Sequence, residues 1–273
     1  MRLVSAGSLA LALAFFTPSP AGAQSPTPGG QGARSAAAAG GLDNWTGFYA
    51  GGSFGHSSAT FTGTVTFADV TVNGQTFTGQ TITFNPAGVG HVSGGGQVGY
   101  AIQVMNQFIA GAEFSIEGSS MSVSQTAGDG VKSPFIPTDT FSAQTTSRIS
   151  LRGRIGAPLM RNQLLVYFVG GVSFAGVTMS GTFPSTGAEF PAAAGSESHH
   201  LTGAEFGGGA EFAIRKDLTV GGEFCHRSYA SSAFNLGDVV VVAPPQTSEP
   251  ALAMLGMSGN EISVRLNYRF RLR

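Results

Sequence analysis

Residues 262–270 read Ile262-Ser263-Val264-Arg265-Leu266-Asn267-Tyr268-Arg269-Phe270. Apolar and polar side chains alternate without interruption. A strand turns successive side chains to opposite faces, so this segment has one apolar face and one polar, cationic face. In a water-soluble sandwich the polar face would meet solvent. Here the same alternation recurs along the chain and the polar faces carry acids and arginines together, which a closed barrel with lipid outside and a polar interior explains.

Working back from that strand, seven more alternating stretches are predicted. The first starts at Trp45 and places Phe48, Ala50, Gly52 and Phe54 on one face. The others cover about 92–104, 108–118, 144–157, 164–179, 200–214 and from Leu218 onward. Tight turns near Asn106, Arg161 and Lys216 alternate with four long connections, 60–90, 119–141, 181–198 and 231–256, the first with a hairpin of its own around Asn73-Gly74. Short turns on one side and long loops on the other suit an all-β fold: an eight-stranded antiparallel transmembrane β-barrel with short periplasmic turns and four long extracellular loops.

Composition agrees. The chain of 273 residues has 41 Gly, 21 Phe and 11% charged residues, which favours turns and strands over helices. The formal net charge of -1 gives no electrostatic case for nucleic acid. With the single cysteine Cys225, no intramolecular disulfide and no cysteine zinc cluster forms. At the N-terminus, Arg2, the apolar run 9–16 and the small-residue site Ala21-Gly22-Ala23 read as a signal peptide over 1–23, cleaved after Ala23. Residues 24–43, rich in Pro, Gly, Ala and Ser, read as a disordered linker, and the barrel is expected over 44–273.

The polar faces converge on one interior. Glu113, Glu117, Arg148, Arg152, Arg154, Glu205, Glu211, Glu223, Arg227, Glu261, Arg265 and Arg269 are all predicted to point inward, six acids against six arginines. Arg148, Arg152 and Arg154 on one strand require counter-charges, which Glu113 and Glu117 on the neighbouring strand supply. A self-neutralised lumen is the favoured reading, because eight strands leave little room for water; a gated pore with exchanging pairs is the other. Trp45, Phe48, Tyr268 and Phe270 are expected as aromatics at the membrane interface.

Three further features carry less. His226 and Ser228 share a face as in a hydrolytic His-x-Ser pair, yet no outward carboxylate is in reach to orient the histidine. His56, His91, His199 and His200 sit on the loop side without a metal-binding spacing, and no cofactor is expected. Gly94-Gly95-Gly96 serves a bend, since no helix follows to make it a phosphate loop.

The residues resemble a known family. Trp45-Thr-Gly-Phe-Tyr-Ala-Gly-Gly52, Gly209-Ala-Glu-Phe212, Gly221-Gly-Glu-Phe224 and Val264-Arg-Leu-Asn-Tyr-Arg-Phe270 resemble motifs of small α-proteobacterial outer-membrane β-barrel proteins, the porin family or outer-membrane immunogenic protein group. The fold is similar to the transmembrane domain of outer-membrane protein A. Two departures stand out: Arg271-Leu272-Arg273 follow the terminal aromatic that the assembly machinery reads, and the linker is long. The resemblance implies the cell outer membrane of a Gram-negative bacterium, with outer-membrane lipid, lipopolysaccharide and the barrel-assembly machinery as partners. It implies a structural, non-enzymatic role in presenting extracellular loops. A small-solute pore, loop-borne binding of haem or a host surface, and a lipid A deacylase-like hydrolase are the alternatives left open.

Overall fold

The structure, a computed structural model, describes residues 44–270 except 73–74, 78, 80, 87, 105–106, 127–138, 186–190 and 243–246. The expected signal peptide, the linker, the Arg271-Leu272-Arg273 extension, and the turn positions Asn73-Gly74 and Asn106 lie outside the described residues. Eleven strands follow in order: β1 Gly47–Thr66, β2 Val70–Val72, β3 Gln75–Phe77, β4 Thr81–Phe84, β5 Val89–Val104, β6 Phe108–Thr126, β7 Thr140–Leu159, β8 Leu164–Phe183, β9 Ala193–Ala213, β10 Leu218–Val241 and β11 Thr247–Phe270.

Eight of them form a closed antiparallel ring. The sheet runs β11-β10-β9-β8-β7-β6-β5-β1, and β1 pairs back onto β11, with Phe48 opposite Phe270 and Thr66 opposite Leu252. Closure removes the exposed edges that a sheet of this length would otherwise present. β4 adds to the far end of β1, and β2 and β3 pair as a hairpin on either side of positions 73 and 74. The turn expected at Arg161 is present, with Met160, Arg161 and Asn162 all at positive φ (49, 56 and 64°) and Gln163 N–H donating to the Met160 carbonyl at 3.2 Å.

The strands are much longer than the sequence reading made them. β10 and β11 hold 24 residues each. Most of the stretches expected as long loops continue the barrel wall: β1 runs on to Thr66, β6 to Thr126, β8 to Phe183 and β10 to Val241. The physical reason is an inversion of face polarity along each strand. Near the short turns, β7 turns Ile149, Leu151 and Ile155 outward and Arg148, Arg152 and Arg154 inward. Further along the same strand, Gln144 and Thr146 face outward while Phe141 and Ala143 are buried. β1 does the same, with Phe48 and Phe54 outward below and Phe61 and Val65 inward above. In β1 the alternation is unbroken and the apolar residues change sides, whereas in β7 and β10 a register shift, at Thr145/Ser147 and at Tyr229/Ser232, moves the inward-facing positions by one.

The ring therefore encloses two layers. The half near the short turns has an apolar outer surface and a charged interior. The other half has a polar outer surface and an apolar core in which Phe61, Phe84, Met121, Phe141, Phe234 and Leu255 are all at most 1% exposed. The second half is built like a water-soluble barrel, stabilised by ordinary hydrophobic burial.

Candidate functional site

All twelve charged residues predicted to face inward do so, and each is buried. β6 positions Glu113 and Glu117; β7 positions Arg148, Arg152 and Arg154; β9 positions Glu205 and Glu211; β10 positions Glu223 and Arg227; β11 positions Glu261, Arg265 and Arg269. Within each strand neighbouring members sit two, four or six residues apart, so the pleat sends them to the same face.

They form two clusters. In the one nearer the short turns, Arg152 binds Glu113 at 2.5 Å and Glu223 at 2.8 Å, and Arg265 spans the same two carboxylates. Arg154 pairs with Glu211 at 2.6 Å, and Arg269 stands 3.8 Å from Glu211. In the other cluster, Arg148 binds Glu117 at 2.8 Å and also Glu261. Arg227 reaches Glu117, Glu205 and Glu261 at 3.2, 2.9 and 3.0 Å. Arg152 and Glu205, 3.8 Å apart, join the two. Guanidinium forks suit this bridging, because each presents several donors in one plane.

Sequence reasoning missed the neutral members. The Tyr49 hydroxyl donates to Glu113 and the Tyr167 hydroxyl to Glu223, both at 2.8 Å. The Arg154 guanidinium lies 3.7 Å from the centre of the Tyr167 ring, a desolvated cation–π contact. Glycine makes room for these rings: a Cβ at Gly99 would stand 2.4 Å from Tyr49, and one at Gly209 would stand 2.7 Å from the Tyr167 hydroxyl. Gln97 donates to Asn267 at 2.8 Å, and Asn267 in turn donates to Glu211 at 3.1 Å. The signal that could have found Tyr49 and Tyr167 is their parity, since each shares its strand's inward face.

Among the expected interface aromatics, Phe48, Tyr268 and Phe270 face outward, each about half exposed. Trp45 does not. Its side chain is fully buried at the mouth of the barrel near the short turns, where the Arg269 guanidinium lies 4.4 Å over its ring and donates to its carbonyl at 2.7 Å. Gln103 accepts from its backbone N–H at 2.7 Å. Trp45 precedes the first ladder residue, so strand alternation does not fix its direction, and the cation–π contact with Arg269 draws it in.

Among the described residues, buried side chains of these two layers occupy the interior. At their boundary a cavity of about 10 Å³ is lined by Arg148, Arg227, Tyr229 and Met257 among others, enough for one water. Cys225 is buried among the arginines as a free thiol. On the outer face, a ring nitrogen of His226 meets the side-chain oxygen of Asn260 at 2.8 Å, and the ring packs on Phe206. The four loop-side histidines divide: His199 packs on Phe234 and lies 3.2 Å from Glu197, His200 sits beside it on β9 opposite Gly176, and His56 and His91 sit on β1 and β5. Among the described residues, no three His, Cys, Asp or Glu side chains are grouped to hold a metal.

Comparison with known proteins agrees with this architecture. The profile of the outer membrane protein β-barrel domain matches residues 8–270. No curated protein matches. Solved structures with a similar fold include OprG of Pseudomonas aeruginosa, at 9% identity and TM-score 0.47 over 85% of this chain and 100% of that one. Ail, the attachment invasion locus protein of Yersinia pestis, aligns at 12% identity and TM-score 0.33 over 83% and 100%. The outer membrane protease OmpT of Escherichia coli aligns at 11% identity and TM-score 0.33 over 81% and 97%.

Proposed function

The chain belongs to the outer membrane protein β-barrel domain family, and from that premise we propose that it is a non-conducting structural barrel of the outer membrane. It spans the lipid with its charged layer and carries its apolar-cored layer outward into the extracellular space. A membrane-crossing strand needs about 9–11 residues, so strands of 20 to 24 residues rise well beyond the bilayer. Phe48, Tyr268 and Phe270 form the aromatic belt at the periplasmic interface. Signal-peptide cleavage after Ala23 and insertion by the barrel-assembly machinery complete the reading.

The observation that carries this reading is the filled lumen. A solute path would have to break the Arg152 and Arg227 pairs in the lower layer and then displace Phe61, Phe84, Phe141 and Phe234 in the upper one. The alternative that His226 and Ser228 hydrolyse an acyl ester lacks its acid, because the partner of His226 is the neutral amide of Asn260. Planar-bilayer recording of the full-length protein tests the proposal. The expected trace is a flat baseline; steady unitary steps would sink it.

A further inference from the structure

The outer surface of the upper layer on β6, β7, β8 and β9 is a lattice of hydroxyls. Ser124, Ser142, Ser180 and Ser196 stand opposite one another across the four strands, in one outward-facing row. The next row toward the short turns is Ser122, Gln144, Thr178 and Ser198. Thr126, Thr140 and Thr182 continue the lattice at the far end. Between these rows, Val123, Ala143 and Met179 point into the apolar core, so the lattice has a rigid backing. No position in the three rows is charged; the ionisable neighbours are His200, beside Gly176 at the lower margin, and the half-exposed Glu197 opposite Met179 on β9, which stands 3.2 Å from His199.

This composition is unusual for a face that meets only water. A solvent-exposed surface ordinarily carries about a quarter to a third of Lys, Arg, Glu and Asp. Here the pleat instead repeats hydroxyls every second residue along each strand and at the inter-strand spacing of about 4.8 Å across them. Each hydroxyl both donates and accepts, which matches a ligand that is itself covered in hydroxyls. The absence of Lys and Arg rules the face unsuited to phosphate groups. A shallow, open groove lies at its lower edge, lined by Val92, Gly118, Ser120, Gln144 and Thr146.

We propose that this face docks the neutral sugars of the lipopolysaccharide in the protein's own membrane. The argument for that occupant is continuity. The outward apolar surface of these strands ends at Ile116, Ile149, Phe174 and Phe206; the paired row Gly118, Ser147, Gly176 and His200 follows, and the hydroxyl lattice begins above that row. A chain of sugars rising from a lipid beside the barrel therefore runs along the lattice, with the groove at its foot. The inference rests on the outer-membrane reading above.

The test uses full-length protein refolded in detergent from inclusion bodies, free of host glycolipid. It is titrated with the core-plus-O polysaccharide released by mild acid from smooth lipopolysaccharide, and with dextran as a neutral polysaccharide of another origin. Saturable binding to the first is expected, at least tenfold weaker binding to dextran, and no change on raising salt, since no ion pair is involved. The Ser142→Leu/Ser180→Leu double variant loses at least fivefold in affinity. The Thr62→Leu/Thr64→Leu variant, on β1 across the barrel where exposed Met254 interrupts the hydroxyls, keeps it. No binding, equal binding to dextran, suppression by salt, or equal loss in both variants overturns the proposal. A heat-modifiability shift on the same samples reports an intact barrel, and bilayer conductance reports on the non-conducting reading, so the two ideas fail separately.

Discussion

Arg265 on β11 donates to Glu113 on β6 at 2.5 Å, although β1 and β5 stand between those strands in the ring. The contact crosses the lumen rather than running along the wall. The same Glu113 accepts from Arg152 and from the Tyr49 hydroxyl, so one carboxylate ties β6 to β7, β1 and β11.

Glu113→Gln removes the charge that Arg152 and Arg265 share while leaving the shape almost unchanged. Breaking a buried pair from one side costs about 3–5 kcal/mol, because the stranded charge stays buried. The expected outcome is an unfolding free energy lower by that amount in urea titration of barrel refolded in vesicles, seen as a lower midpoint, with the fold retained. An unshifted midpoint would mean that the network is solvated.

Tyr167 contributes twice, through its hydroxyl on Glu223 and its ring under Arg154. Tyr167→Phe keeps the ring and loses the hydrogen bond, at about 1.5–3 kcal/mol for a bond to a charged acceptor. Tyr167→Leu also loses the cation–π contact and costs a further 1–2 kcal/mol or so. Thermal unfolding of the two variants separates the contributions.

Trp45→Ala empties the mouth of the barrel and leaves Arg269 without its ring. Deleting a buried tryptophan costs about 3–5 kcal/mol. Conductance stays at baseline, because the Arg152 and Arg154 clusters above still close the lumen. Channel activity in this variant would identify Trp45 as a plug and overturn the sealed-interior reading.

Polarity inversion along β1 predicts opposite responses at adjacent residues. Phe61 is fully buried and Thr62 is exposed. Phe61→Ala costs about 3–5 kcal/mol, while Thr62→Glu stays within about 0.5 kcal/mol of wild type. If residue 61 lay in a mobile loop, both substitutions would be silent in urea unfolding.

Asp139, just before β7 at the end of the barrel away from the short turns, is buried, and one of its carboxylate oxygens meets no partner among the described residues. Burial raises its pKa to about 6. A raised carboxyl pKa means that the folded state prefers the proton: the stabilisation is complete below the unfolded value near 4 and is lost as pH rises through about 6. Asp139→Asn is therefore expected to raise the melting temperature at pH 8 and to leave it unchanged at pH 3.5. A variant less stable than wild type at pH 8 would show that the ionised carboxylate has a favourable partner.

Much of this protein was legible in its residues. Alternation from Ile262 to Phe270 and on the other strands specified an eight-stranded ring and sent all twelve charges inward, because a strand's period of two admits no other placement once one face is known. Where the strands end was not legible. In Ala59-Thr-Phe61-Thr-Gly63-Thr-Val65-Thr-Phe67 the alternation continues, but the apolar residues now fall on the lumen side, and a reading that looks for a lipid-facing apolar stripe takes the segment for a loop.

Sequence by itself determined the period, the strand count and the sign of each face. Only the tertiary structure decided which solvent each face meets and which charges pair. Period is a local property of the backbone, whereas the partner of Arg265 is fixed by ring closure, which sets residues 152 positions apart against one another. Trp45 shows the same limit from the other direction. An aromatic at a chain's entry to a barrel reads as an interface anchor, and the guanidinium that turns it inward is contributed from the last strand, 224 residues away.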